Sequence, residues 1–166
     1  MDIKITPVSE HSRNAVAAQI TASWASPLIV SRGTLYDSRL LPGFAAFDGD
    51  LLAGYALYNI TGDECELVVL ESLRSNAGIG GTLIREVIKI ARENNSRRVW
   101  LVTTNDNTQA IRFYQRFGFE LAAVHFNAMD EARKLKPQIP LTGDDDIFLK
   151  HEFEFEILLK NEGDVS

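Results

Sequence analysis

Leu70-Glu71-Ser72-Leu73-Arg74-Ser75-Asn76-Ala77-Gly78-Ile79-Gly80-Gly81-Thr82 is the stretch on which the reading of the fold turns. An apolar, strand-like run enters it and an amphipathic helical pattern leaves it. Between the two, Gly78, Gly80 and Gly81 let a ligand approach the backbone closely. A helix start points free N–H groups and a partial positive charge outward, so the segment predicts an anion site suited to a pyrophosphate. No Gly-Lys-Ser/Thr follows, which excludes a Walker loop. The spacing Gly78-x-Gly80-Gly81 also fits a dinucleotide fingerprint poorly, because a meander precedes it instead of a βαβ start.

Reading upstream, Glu64–Leu70 is a strand entered from the turn Thr61-Gly62-Asp63. Phe44–Phe47 and Leu51–Tyr58 flank Asp48-Gly49, a hairpin signal because that pair tolerates positive φ. Residues 25–42, with Pro27, Gly33 and Pro42, read as a loop with little regular structure. Before them a helix capped by Ser9 or Ser12 runs to about Trp24, and Ile3–Pro7 forms a short first strand. Downstream, Ile79, Leu83, Val87, Ile90 and Ala91 recur at helical spacing until Asn94-Asn95. Val99–Thr103 suits a buried strand, and Asp106 or Asn107 caps a helix striped by Ala110, Ile111, Tyr114 and Phe117. Phe119–Phe126 returns to strand, Met129–Lys136 allows one or two helical turns, and Phe153, Phe155, Ile157 and Leu159 alternate in a final strand. This order predicts an α/β (α+β) chain, a single domain over residues 1–166.

Composition narrows the function. With 45% hydrophobic and 24% charged residues the chain matches a globular average, so extensive disorder is not expected. The first 140 residues balance 15 acids against 15 bases, whereas residues 141–166 carry eight acids and two bases. A basic footprint is absent, which argues against a nucleic-acid partner. No signal peptide or membrane span is legible, so a cytoplasmic location is expected. Cys65 is the lone cysteine, and His11, His125 and His151 lack ligand spacing, so no metal site is expected.

The glycine stretch resembles the acetyl-CoA pyrophosphate motif of the GNAT superfamily of N-acetyltransferases, Q/R-x-x-G-x-G/A, placed on Ser75-x-x-Gly78-x-Gly80. Some 25 residues on, Asn105-Asp106-Asn107-Thr108-Gln109-Ala110-Ile111-Arg112-Phe113-Tyr114-Gln115-Arg116-Phe117-Gly118-Phe119 resembles the family's second signature. The resemblance covers residues 43–126 well and the ends by element order. Ser75 departs from the pattern, standing where Gln or Arg is expected, with Arg74 one residue earlier. Backbone N–H groups hold phosphate without side chains, so the departure touches only the side-chain share of binding.

The resemblance implies the acyl-CoA N-acyltransferase fold, a mostly antiparallel mixed sheet split centrally between two parallel strands, with flanking helices. It implies acetyl-CoA as cosubstrate, its pyrophosphate at Ser75, Asn76, Gly78, Ile79, Gly80, Gly81 and Thr82. The pantetheine arm lies in the split against Val68 and Leu70, in contact with Asn107. An amine must lose a proton before it attacks the thioester. Glu64 and Glu66, on one face of their strand, are the candidate bases, with Glu66, farther from the turn, preferred. Tyr114 matches the tyrosine that protonates the leaving thiolate. Trp24, Arg32 and Tyr36 fall where relatives cover the acceptor. The expected activity is acetyl transfer to a primary amine of a small molecule or peptide, through a ternary complex. A non-catalytic acyl-CoA sensor is the alternative, and a homodimer is left open. Glu152, Glu154 and Glu156, on one face of the last strand, predict a preference for cationic acceptors.

Overall fold

The Asp48-Gly49 pair turns as its chemistry predicts, with Gly49 at φ 60°. It joins β4 (Gly43–Asp48) to β5 (Leu51–Thr61), and Gly62, also at positive φ, passes the chain into β6 (Glu64–Ser72). β1 (Ile3–Pro7) pairs antiparallel with β4 and completes a four-stranded half-sheet. The structure, a computed structural model, describes residues 2–160, so Glu162 and Asp164 of the acidic tail lie outside the described residues.

From β6 the chain crosses through α2 (Ile79–Glu93) to β7 (Arg98–Thr104), which lies parallel to β6. A strand–helix–parallel strand passage needs such a crossover, because a tight hairpin reverses direction. α3 (Thr108–Phe117), β8 (Glu120–His125), α4 (Ala128–Leu135) and β9 (Glu152–Leu158) complete the order. The sheet order is β1-β4-β5-β6-β7-β9-β8, antiparallel at every pair except β6–β7. The mixed, mostly antiparallel architecture with one central parallel pair is therefore as expected.

Each face of the sheet carries its own core. On one face Leu83, Ile84 and Val87 of α2 are fully buried against Ala56, Cys65, Val99 and Leu101. On the other, Val16 and Ile20 of α1 (Glu10–Trp24) pack on Ala45, Tyr55, Leu57 and Val69. Ser9 is the α1 N-cap, and its N–H donates to Ser12 Oγ at 3.0 Å. Leu83→Ala is expected to cost about 2–5 kcal/mol by lost burial and a cavity at the helix–sheet seam. Urea unfolding followed by circular dichroism measures it.

Residues 25–42 are more regular than the sequence suggests. β2 (Leu28–Ser31) and β3 (Thr34–Asp37) form a separate antiparallel hairpin, turned by Arg32 and Gly33 at φ 48° and 75°. Gly33 marks the hairpin's turn, where reading it as loop punctuation missed four-residue strands too short to show alternation. Asp144–Asp146 form a 3₁₀ turn before β9.

Candidate active site

The site begins where β6 and β7 part. Their register runs only from Glu64, Cys65 and Glu66 to Arg98, Val99 and Trp100. Beyond Glu66 the rest of β6 pairs with β5 alone, so its other edge is open. The β5–β6 register shifts by one residue at Val68, which stands between Leu67 and Val69 without its own partner. Such a bulge bends the strand and re-aims the side chains beyond it. Ahead of it Glu66 faces the β2–β3 hairpin, and after it Val69 and Glu71 face α1 on the same side.

A cleft of about 650 Å³ opens from this split. Val68 and Leu70 of β6 line it, together with Asn107 and Tyr114 of the α3 segment and Trp24 at the end of α1. Asn107 also caps α3, its Oδ1 accepting the Ala110 N–H at 3.2 Å, so capping and lining fall to one residue. Tyr114 is buried edge-on between Phe113 and Phe119, at centroid distances of 5.5 and 5.6 Å. Burial alone raises its phenol above the ordinary range, so it stays protonated at neutral pH.

Below the open edge lies the glycine cradle. Gly78 holds φ 70° as the α2 N-cap, and the first intrahelical bond runs from Thr82 N–H to the Gly78 carbonyl at 3.1 Å. The N–H groups of Ile79, Gly80 and Gly81 therefore precede the helical ladder, and no acid stands in the first turn. Thr82 turns its hydroxyl inward to the Gly78 carbonyl at 3.0 Å. Gly80 serves packing too: a Cβ there would stand 3.2 Å from the Phe113 ring of α3. Ser75 and Asn76 form the approach, Asn76 at φ 59°.

The two glutamates have different surroundings. Glu64 is held by Arg97 and by Arg98 Nε at 2.9 Å. Glu66 is 4% exposed, accepting from Ser31 Oγ and from Tyr36 OH at 2.7 Å. Burial raises its carboxyl above the usual range, the two hydroxyls oppose this, and the charges of Glu152 and Glu154 raise it again. Burial, together with the bond to Glu66, raises Tyr36 as well. Cys65 faces the α2 core, fully buried, its thiol pushed up to about 12 chiefly by burial, which suits an inert packing residue.

The hairpin brings Arg32 and Tyr36 together over the acidic face of β6 and β9, while Trp24 stands apart at the end of α1. Arg32 reaches Glu154 at 3.8 Å. Arg98 binds Glu154 and Glu156 at 2.9 and 2.8 Å, and His125 meets Glu154 at 3.0 Å. Burial works against ionisation of Glu154, yet the Arg98 and His125 bonds hold its carboxyl below the usual range. Of the three β9 acids only Glu152 lines the cleft. Ser31 and Arg98, which bind the site's glutamates, and Lys136, which lines the cleft and donates to the carbonyls of Trp24 and Leu28, were missed by sequence reasoning, because their partners lie far away in the chain. Among the described residues no group of three or more His, Cys, Asp or Glu is arranged to hold a metal. No helix among them is long and apolar enough to cross a membrane.

A split parallel pair above a glycine-opened helix, with a buried tyrosine across the gap, defines an acyl-CoA N-acyltransferase fold. Residues 16–119 match the acetyltransferase (GNAT) family. The chain is 35% identical over 153 residues to the Bacillus subtilis (strain 168) protein YdhI, covering 91% of this chain and 95% of that protein. It is 36% identical over 87 residues to the streptothricin acetyltransferase of Streptomyces lavendulae, covering 50% of this chain and 45% of that enzyme. A Bacillus subtilis acetyltransferase solved in complex with CoA superposes with a TM-score of 0.68 at 16% identity, covering 96% of this chain and 100% of that one. The chain belongs to the GNAT acetyltransferase family.

Proposed function

We propose that this enzyme transfers acetyl from acetyl-CoA to a primary amine by direct attack within a ternary complex. The observation that carries the reading is the open edge of β6 beyond Glu66, which borders a cleft with Tyr114 on its wall and is followed in the chain by the glycine-opened α2. The bound CoA of the superposable Bacillus subtilis enzyme supports the same cosubstrate.

The chemistry then divides among named groups. N–H groups of Ile79, Gly80 and Gly81 receive the pyrophosphate. Arg85, whose guanidinium stands 3.6 Å from a Cβ built on Gly81, adds the positive charge that Ser75 lacks. The free edge at Val68 and Leu70 takes the pantetheine as an added strand, with Asn107 across from it. The amine nitrogen attacks the thioester carbonyl and the carbon–sulfur bond breaks. The amine proton passes to Glu66, through Tyr36 or water because the carboxylate is covered, and Tyr114 gives its phenolic proton to the thiolate. Glu64 is the weaker candidate base, since its carboxyl group is already occupied by two arginines. Trp24, Arg32 and Tyr36 border the acceptor.

Acetyl-CoA and CoA should each raise the melting temperature by mass action, and CoA release should require an acceptor. An unchanged melting temperature at millimolar CoA overturns the cosubstrate. Tyr114→Phe should lower turnover while leaving CoA affinity within a few fold, because only the hydroxyl is removed. Stopped turnover with retained CoA binding in the wild type, across an amine panel, would favour the sensor.

A further inference from the structure

The cleft walls carry two opposite charges that have no close ionic partner among the described residues. Glu152 is 3% exposed and accepts only the Arg32 N–H, at 3.4 Å. The nearby basic side chains, Arg32 and His125, make their close contacts with Glu154 instead. Lys136, at the end of α4, is 8% exposed and donates to the carbonyls of Trp24 and Leu28 at 3.1 and 2.9 Å. Among the described residues it meets no carboxylate, and burial lowers its affinity for a proton. An ammonium has three donors, so these two bonds leave one for a ligand. Both residues line the same cleft.

Their separation is set by β2. Lys136 is anchored at Leu28 and Glu152 at Arg32, the two ends of that strand and its turn. At about 3.3 Å per residue the charges stand on the order of 10 Å apart. Glu152 accepts from Arg32 and Glu66 from Ser31, adjacent residues of the hairpin, so Glu152 stands beside the candidate base at the reacting end of the cleft. A buried charge without a partner is costly, and a ligand charge that pairs with it recovers that cost as affinity.

We propose that the cleft selects acceptors with a free amine and a carboxylate a dipeptide's length apart, Glu152 holding the ammonium and Lys136 the carboxylate. The proposal rests on the acetyl-transfer reading only for which end of the ligand reacts. It also narrows the expected taste for cations, since Glu154 and Glu156 are already engaged by Arg98. A diamine would satisfy Glu152 and oppose Lys136.

The test is a calorimetric titration of the wild type, with and without CoA, using alanyl-alanine, alanyl-alaninamide and N-acetyl-alanyl-alanine. Each capped peptide should bind about 10-fold or more weaker than alanyl-alanine. Glu152→Gln should erase the penalty for capping the amine, and Lys136→Met the penalty for capping the carboxylate. If Lys136→Met does not fold, because two carbonyls lose their donor, the wild-type comparison and Glu152→Gln still decide. Equal binding of the three peptides, or no binding of alanyl-alanine in either condition, overturns the proposal. CoA is titrated separately: its failure to bind beside an intact peptide pattern supports this site and counts against the acetyl-CoA reading alone.

Discussion

Glu66→Gln is expected to lower turnover about 10²–10⁴-fold with the true acceptor, leaving CoA affinity unchanged. Glutamine keeps the shape and one acceptor for the hydroxyls of Ser31 and Tyr36, but it cannot take a proton. Burial raises the Glu66 carboxyl, so the acid limb of the wild-type pH–rate profile should lie above the usual carboxylate range. The rate should climb as pH rises and Glu66 loses its proton, and the variant should lose that limb. Stability runs the other way. A carboxyl whose folded pKa is raised holds more protons folded than unfolded, so its contribution weakens as pH rises from the unfolded toward the folded value. Near wild-type turnover in Glu66→Gln, with Glu64→Gln impaired, would move the base one pleat earlier. If neither variant slows, catalysis rests on positioning.

Gly81→Glu is expected to abolish the CoA-dependent rise in melting temperature without unfolding the protein. A Cβ at Gly81 meets its nearest neighbours, Arg85 and Phe117, at 3.6 and 3.7 Å, ordinary contact distances. A glutamate in the first turn also suits the helix dipole, so the apo protein should be about as stable as before. The same charge stands where the pyrophosphate would sit and opposes it. Gly80 is a poorer probe because the Phe113 ring would have to move. A retained CoA shift in Gly81→Glu would place the phosphates elsewhere.

Much of this site was readable from one dimension. The cradle is contiguous, and its preceding strand, glycine turn and helix start are legible through local backbone chemistry. The α3 cap and stripe likewise put Asn107 and Tyr114 on a helix whose spacing needs no partner to be recognised. Alternation along β6 also placed Glu64 and Glu66 on one face, which the structure shows as far as the bulge. The bulge at Val68 was not readable, because it exists only relative to β5. The β2–β3 hairpin escaped for another reason: four-residue strands leave too few positions for a period.

Read alone, the chain establishes the family, the order of the main elements and the glycine-opened helix start, because periodicity, caps and glycine spacing act over a few residues. Folding settles which carboxylates are free to act. Arg98 reaches Glu64, Glu154 and Glu156 across 34, 56 and 58 residues of chain, and Ser31 reaches Glu66 across 35. Charges that look alike along the sequence are thus divided into neutralised, covered and cleft-facing groups by contacts that form only when the sheet and hairpin close. Glu152 and Lys136 became neighbours of one cleft in the same way. Coulomb and desolvation terms depend on distance and burial, and neither quantity exists until the chain is folded.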